Sequence, residues 1–597
     1  MFFGGFIFMN WDLTKYYKTY EDFRENLNVF KDLVEKLKDY KGTLNDEVKF
    51  REYYDILISI VENYEKLYLY ANCKIDIDRN NIEAVNDFQD VLYTFQKLNE
   101  NTSFEDSEIL SLKEDYVFSV IEKYDELKQL KFSFTDLFRK KAHTPSSLEQ
   151  KIIANYSSLS DNNREIFSSL STSDVKPHMI KLDSGEEIDI KDANWTSMIR
   201  KSKSVSERKR IFEAEFKRFD EYKNTYAAIY LSTLKADIAL AKSKGFDTAI
   251  EMYLYRNNIP VSLYLSLIEI AHDTAPLVKK YLELRKKFLK LDEYHTYDRF
   301  LDLVQDENSK KYSYEDAKNL FFASIEKYDE EFRKFAHTAL EDGYVDVYPK
   351  DGKVSGAYSN STSNAHPCIL LNFNEDLDSC FTLAHEAGHS THSLFSMKYQ
   401  DVMTTNYTIF VAEIASTFNE HNLLDYLIMK GTLTRNEKIK LISNAIDNIV
   451  ATFMRQTLFA EYEYIAHTMA EKGEAITEES LSNIMVKLYQ EYYGLDINKE
   501  IYKKYVWVYV HHFFMSPYYV YQYATSFAAS LAIYQNVKEG KENAFNNYLD
   551  LLKSGGSDYP IELVKKAGVD FTNTDCLKAV KARFKDLLNE LEEAINE

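Results

Sequence analysis

Near the middle of the chain stands the segment Leu383-Ala384-His385-Glu386-Ala387-Gly388-His389. Two imidazoles four residues apart, with a carboxylate directly after the first, make the pattern H-E-x-x-H. On a helix four residues are about one turn, so His385 and His389 project from one face. Two such imidazoles can close on one zinc ion, and Glu386, about 100° round the helix, then sits beside the metal without ligating it. From there it can hold and deprotonate a water molecule, which is the chemistry of metal-assisted hydrolysis. With 13 His in 597 residues, chance supplies this pattern fewer than ~0.05 times.

A catalytic zinc takes three protein ligands and keeps one position open. His392 extends the series, but it lies ~10.5 Å from His385 along a helix axis, too far to converge with His389 between them. Glu413 is the better third ligand. It is the one carboxylate in the run Ile409-Phe410-Val411-Ala412-Glu413-Ile414-Ala415-Ser416, 28 residues after His385. A lone carboxylate in an apolar helix is costly to bury unless it is paired or bound to a metal, and the interval leaves room for a loop and a returning helix. Glu420, two turns further on the same face, is placed to orient one of the histidines. The bland alternative puts two histidines on an ordinary helix and Glu413 on a solvated face. The expectation is one zinc ion per chain, held by His385, His389 and Glu413.

These residues need rigid elements behind them. Leu377, Cys380, Phe381 and Ala384 recur at helical spacing into the motif, so the motif lies on a helix. Just before it the period changes. Val345 and Val347 alternate, Lys350-Asp351-Gly352-Lys353 is turn chemistry, Ser359 to Asn364 is polar and reads as flexible, and Cys368-Ile369-Leu370-Leu371-Asn372-Phe373 reads as a buried strand. A small sheet is therefore expected beside the H-E-x-x-H helix. A hairpin is expected near 179–190, with Asp183-Ser184-Gly185 as its turn. The rest reads as helix: Phe23, Leu27, Phe30, Leu33 and Leu37 form one stripe, and Leu57, Ile60, Val61, Tyr64, Leu67 and Tyr68 another. Pro260 and Pro276 mark helix starts or interruptions. Only 16 Gly and 8 Pro are present, so turns are scarce and helices long. No period of 20–50 residues signals a solenoid.

Composition bounds the partners. Lys and Arg total 73 against 95 Asp and Glu, a formal charge of −22. That argues against nucleic acid and against an anionic membrane surface. Four Cys without a C-x-x-C pair exclude a disulfide framework and a thiolate zinc site as the working hypotheses. No run reaches the ~18 apolar residues of a membrane span. The segment Met1–Met9 is apolar but short and lacks a basic region, so it does not read as a signal peptide, and Met9 offers a second start. The cytoplasm is the expected compartment.

The segments His385–Ser393 and Phe410–Glu420 together resemble the oligoendopeptidase F branch of the thimet oligopeptidase (M3) metallopeptidases. Ser355-Gly356-Ala357-Tyr358-Ser359 and Ile369–Asn372 stand where that family has its substrate-side strands, and His512 to Thr525 is similar to its His/Tyr segment. Ser554-Gly555-Gly556-Ser557 and Ala567–Asp570 fit as well. The likeness of the catalytic part spans roughly 200–590, giving an expected division into an N-terminal helical region, 1–195, and a catalytic region, 196–597. The resemblance implies a mainly α-helical, zincin-like fold of channel type and zinc-dependent endopeptidase action on short, unstructured oligopeptides. It assigns the third zinc ligand to Glu413. It assigns the transition-state donors to His512 and Tyr521, with Tyr518 as second choice because the stretch after His512 is short. A related helical zinc carboxypeptidase or dipeptidase is the alternative. It would need a cation for the substrate's C-terminal carboxylate, with Arg455 a distant candidate. A non-enzymatic helical scaffold is the third reading. Oligomeric state is not specified by the sequence.

Overall fold

The structure is a computed structural model that describes residues 10–191, 194–304 and 310–597. Met1–Met9, and with them the choice of start, lie outside these residues. The described chain is mainly helical, with two small sheets. The Tyr20–Leu37 helix starts in a capping box: the Thr19 hydroxyl accepts from the Asp22 N–H, and the Asp22 carboxylate accepts from the Thr19 N–H. Its buried stripe is Phe23, Leu27, Phe30, Val34 and Leu37. Val34 stands where Leu33 was expected, because steps of four and three alternate along one face. Leu33 packs only partly, at the edge of the core. The Glu47–Ile77 helix buries Ile60 and Leu67, with Leu57, Tyr64 and Tyr68 half-buried against the same core.

Pro260 caps the Val261–Phe288 helix, but Pro276 lies inside that helix and does not interrupt it. The proline leaves the His272 carbonyl without its usual donor. Burial of the flanking Thr274, Ala275 and Val278 holds the helix across that gap.

The hairpin pairs β1 (His178–Lys181) with β2 (Glu187–Ile190), Met179 opposite Asp189, and Gly185 takes the left-handed turn conformation at φ +91°. The second sheet consists of β3 (Val345–Asp346), β4 (Tyr358–Asn360) and β5 (Cys368–Leu370) in the order β3-β5-β4. β3 runs parallel to β5, and β4 antiparallel to it with Ser359 opposite Ile369. The stretch from Ser359, expected to be flexible, is thus partly strand. Its pairing partner lies ten residues on and leaves no local signature. A buried ion pair braces the sheet: Lys353 Nζ lies 2.6 Å from the Asp346 carboxylate and donates to the carbonyls of Tyr348 and Leu371.

The chain divides into two compact units, each built from separated segments. The first comprises Met1–Ala142, Asn308–Met429 and Ala529–Asp570, and the second His143–Glu307, Lys430–Ala528 and Phe571–Glu597. The first holds the H-E-x-x-H helix and its sheet. The second has an aromatic core in which Tyr230 packs with Trp507, Phe513 and Phe514, and a buried Arg208–Asp298 ion pair. Among the described residues no helix is long and apolar enough to cross a membrane.

Candidate metal centre

His385 and His389 stand on the Leu377–Tyr399 helix, which begins where the Asp376 side chain accepts from the Ser379 N–H at 2.8 Å. The Ile409–Met429 helix packs against it. The two backbones approach closely at Gly388, where a Cβ would lie 2.6 Å from the Ala415 carbonyl oxygen and 2.7 Å from Ser416 Cα. Glycine at this position of H-E-x-x-H therefore lets a second backbone approach and brings Glu413 beside the histidines. Asn419 adds a tie, donating from Nδ2 to the Ala384 carbonyl at 3.1 Å. Gly388→Ala is expected to cost most of the bound metal and the activity, although Ala is the better helix former by ~1 kcal/mol. Metal content per chain and thermal melting measure this. A variant with full metal would show that the glycine does not set the approach.

The donor atoms converge. His385 Nε2 and His389 Nε2 are 3.2 Å apart, and Glu413 Oε2 lies 3.4 Å and 3.6 Å from them. Ligands on a tetrahedral ion at bonds of ~2.05 Å stand ~3.3 Å apart, so the three atoms are already at ligand spacing. His385 Nδ1 is 2.5 Å from Glu420 Oε1, which fixes the ring and directs Nε2 toward the other donors. The Ser416 hydroxyl donates to Glu413 Oε2 at 3.0 Å. Two imidazole nitrogens and one carboxylate oxygen form a donor set that suits zinc.

Glu386 is 5 % exposed. It accepts from the Ser359 N–H, while its Oε2 is buried with no partner among the described residues. Burial pushes its pKa up to about 7, suited to taking and returning a proton near neutrality. The donors differ from it. Burial opposes charge on His385, but the Glu413 and Glu420 carboxylates outweigh it and hold its pKa well above the ordinary value. Burial, with His385 beside it, lowers His389 to about 4. For Glu413 burial works upward, yet the two histidines win and draw it down to about 2.

The three donors and Glu386 line a cavity of about 400 Å³ together with Ala357, Tyr358, Ser359 and Ser361 on one side and Thr405, Asn406 and Tyr407 on another. His392 is buried and stacked on Tyr407 at 3.8 Å, and neither of its nitrogens has a hydrogen-bond partner among the described residues. Gly388, Asn406 and Tyr407 escaped the sequence reading. Only the glycine carried a signal, as a poor helix former inside a helical motif.

His512, Tyr518, Tyr521 and Arg455 belong to the second unit. His512 is half-buried, its ring stacked on Tyr519 at 5.6 Å and edge-on to Tyr523 at 6.1 Å. Tyr518 and Tyr521 are 4 % and 2 % exposed, with Tyr518 packed against Tyr253, Tyr264 and His467 and Tyr521 against Tyr264. The phenols that accompany His512 are thus those of Tyr519 and Tyr523, which nothing in a chain of 46 Tyr singles out. Arg455 opens the Arg455–Glu471 helix.

An H-E-x-x-H helix packed on a carboxylate-bearing helix is the arrangement of a metal-dependent hydrolase. Residues 198–582 match Peptidase family M3, and residues 108–176 match Oligopeptidase F. The chain is 35 % identical to Oligopeptidase PepF of Bacillus subtilis (strain 168), over 98 % of this chain and 87 % of that one. It is 34 % identical to an Oligoendopeptidase F homolog of Borreliella burgdorferi, over 97 % of each. The crystal structure of oligoendopeptidase-F from Enterococcus faecium is similar at a TM-score of 0.76 and 28 % identity, covering 96 % of this chain and 99 % of that one. The chain belongs to peptidase family M3 and is a peptidase, a hydrolase of peptide bonds. The family implies a metal cofactor and peptide substrates.

Proposed function

We propose that the protein is a zinc-dependent endopeptidase of the cytoplasm, cleaving internal bonds of short, unstructured oligopeptides. The observation that carries this reading is the convergence of His385 Nε2, His389 Nε2 and Glu413 Oε2 at 3.2–3.6 Å beside a buried, unpartnered oxygen of Glu386. His385, His389 and Glu413 would hold one zinc ion per chain, which would supply the Lewis acidity that acidifies water and polarises a carbonyl. Glu386 accepts the proton of the attacking water at Oε2 and returns it to the leaving amine. Glu420 keeps His385 in the tautomer that presents Nε2. β4 pairs only with β5 among the described residues, and its other edge suits an extended peptide. On the family resemblance His512 and Tyr521, with Tyr518 as second choice, donate hydrogen bonds to the developing oxyanion. Tyr→Phe substitutions at 518, 519, 521 and 523 separate the phenols.

None of the described residues lining the cavity is Lys or Arg. This favours internal cleavage over a carboxypeptidase, which must neutralise a terminal carboxylate. The test is a series of end-blocked peptides with one cleavable sequence, lengthened stepwise to a full unfolded protein. Peptides of roughly 5–20 residues, at ~3.3 Å per extended residue, are expected to be cut well, long unfolded chains poorly and folded proteins not at all. A kcat/KM that stays flat up to whole-protein length would overturn the size limit. Cleavage confined to peptides with a free C-terminus would favour the carboxypeptidase.

A further inference from the structure

Two walls flank the cavity. One is β4 with the residues that follow it, and the other is the segment Thr405–Tyr407. Ser393, on the H-E-x-x-H helix, joins them at the floor: its hydroxyl donates to Ser361 Oγ at 2.9 Å and meets the Tyr407 hydroxyl at 3.1 Å. Glu65, from the distant Glu47–Ile77 helix, joins them a second time. Its Oε2 accepts from the Ser363 N–H at 2.7 Å and from the Ser363 hydroxyl at 2.5 Å, and its Oε1 accepts from Asn406 Nδ2 at 2.6 Å. The Asn406 backbone is held independently. The Gly556 N–H donates to the Thr404 carbonyl at 2.7 Å, and a Cβ at Gly556 would lie 2.0 Å from the Asn406 carbonyl oxygen.

An ionised carboxylate can only accept hydrogen bonds. Asn406 must therefore turn the NH₂ end of its amide toward Glu65, because the opposite orientation would set two acceptors against each other. Its Oδ1 accepts no hydrogen bond from the described residues, yet the side chain is exposed and lines the cavity. We infer that Asn406 is a peptide-binding residue whose Oδ1 accepts a backbone N–H of the substrate, and that Glu65 is the positioning residue that holds the amide in this orientation. The inference rests on the peptidase reading of this site and narrows its substrate class. The substrate residue facing Asn406 is favoured when it carries an N–H, so proline or an N-methyl residue is disfavoured there. Stability does not call for the arrangement. Asn406 is exposed on a segment already anchored by Gly556, and such surface substitutions change stability little.

The test measures binding without turnover, in the zinc-loaded Glu386→Gln protein. An end-blocked peptide and its single N-methyl variants are titrated calorimetrically. One N-methyl position is expected to weaken binding up to about tenfold, the size of one hydrogen bond. Asn406→Ala should weaken the unmodified peptide by a similar factor and be indifferent to that N-methyl group. Glu65→Gln, which offers an NH₂ in place of an acceptor, should let the Asn406 amide reverse and behave as Asn406→Ala does, with the melting temperature nearly unchanged. An N-methyl penalty that persists undiminished in Asn406→Ala, or unmodified peptide bound equally by both variants and their parent, overturns the inference. If the parent itself holds zinc but binds no peptide, the peptidase reading of the site fails, and this inference with it.

Discussion

Glu386→Gln is expected to lower kcat by about 10²–10⁴-fold while zinc and fold stay in place. The side chain is buried and accepts from the Ser359 N–H through one end of its carboxylate. Gln keeps the shape and one acceptor oxygen, so that contact survives. What is lost is the proton-accepting oxygen beside the three donor atoms. Glu386 contributes none of those atoms, so metal content per chain should equal the parent's. Turnover, metal analysis and circular dichroism on one preparation decide the matter. Turnover near the parent's with the metal retained would remove Glu386 from the role of general base.

Glu413→Ala is expected to weaken zinc binding by more than about 100-fold, beyond the 10–100-fold typical of losing a residue that merely orients a ligand. It removes one of three donors and one of the two acceptors of the Ser416 hydroxyl, which keeps the Glu413 carbonyl. His392→Ala should keep one zinc per chain, at some cost in stability from the emptied stack against Tyr407. His392→Phe preserves that stack and guards against misfolding as an explanation. Metal analysis after dialysis against a weak chelator is the measurement. Zinc retained by Glu413→Ala and lost by His392→Phe would invert the ligand assignment.

What the sequence disclosed about this site was local in origin. The His385–His389 spacing speaks for itself on a helix, and Glu413 stands out because its neighbours are apolar. Glu420 follows from the same periodicity. Glu65 carried no signal, for it is one acidic residue among 95 and meets Asn406 341 residues away. Gly388 was visible as a residue, but the backbone that needs its missing Cβ lies on another helix. The phenols near His512 show the same limit. Four Tyr within six residues share composition and spacing, and only packing separates the buried Tyr518 and Tyr521 from the half-buried Tyr519 and Tyr523. At the level of fold, the small sheet was legible from Val345, Val347 and the Cys368–Leu370 run, whereas β4 was visible only through the family resemblance at Ser355–Ser359, since its short polar sequence becomes strand only against β5. Pro276 shows that a local rule gives way when the surrounding helix is buried.

The first unit closes through Ala529–Asp570, and two bonds from that segment reach the site: Ser530 Oγ to the Ile414 carbonyl, and the Gly556 N–H to the Thr404 carbonyl. On the ribosome this has a timing consequence. The helices that bear His385, His389 and Glu413 leave the exit tunnel long before the segment that backs them, since roughly 130 residues separate the end of the second helix from Gly556. At about 5–20 residues per second the delay is on the order of ten seconds. During that interval the nascent chain carries all three donor residues without the bond that steadies Thr404, next to the wall that bears Asn406. A peptidase whose cleft is braced by sequence made so much later acquires its finished form only after that segment has emerged.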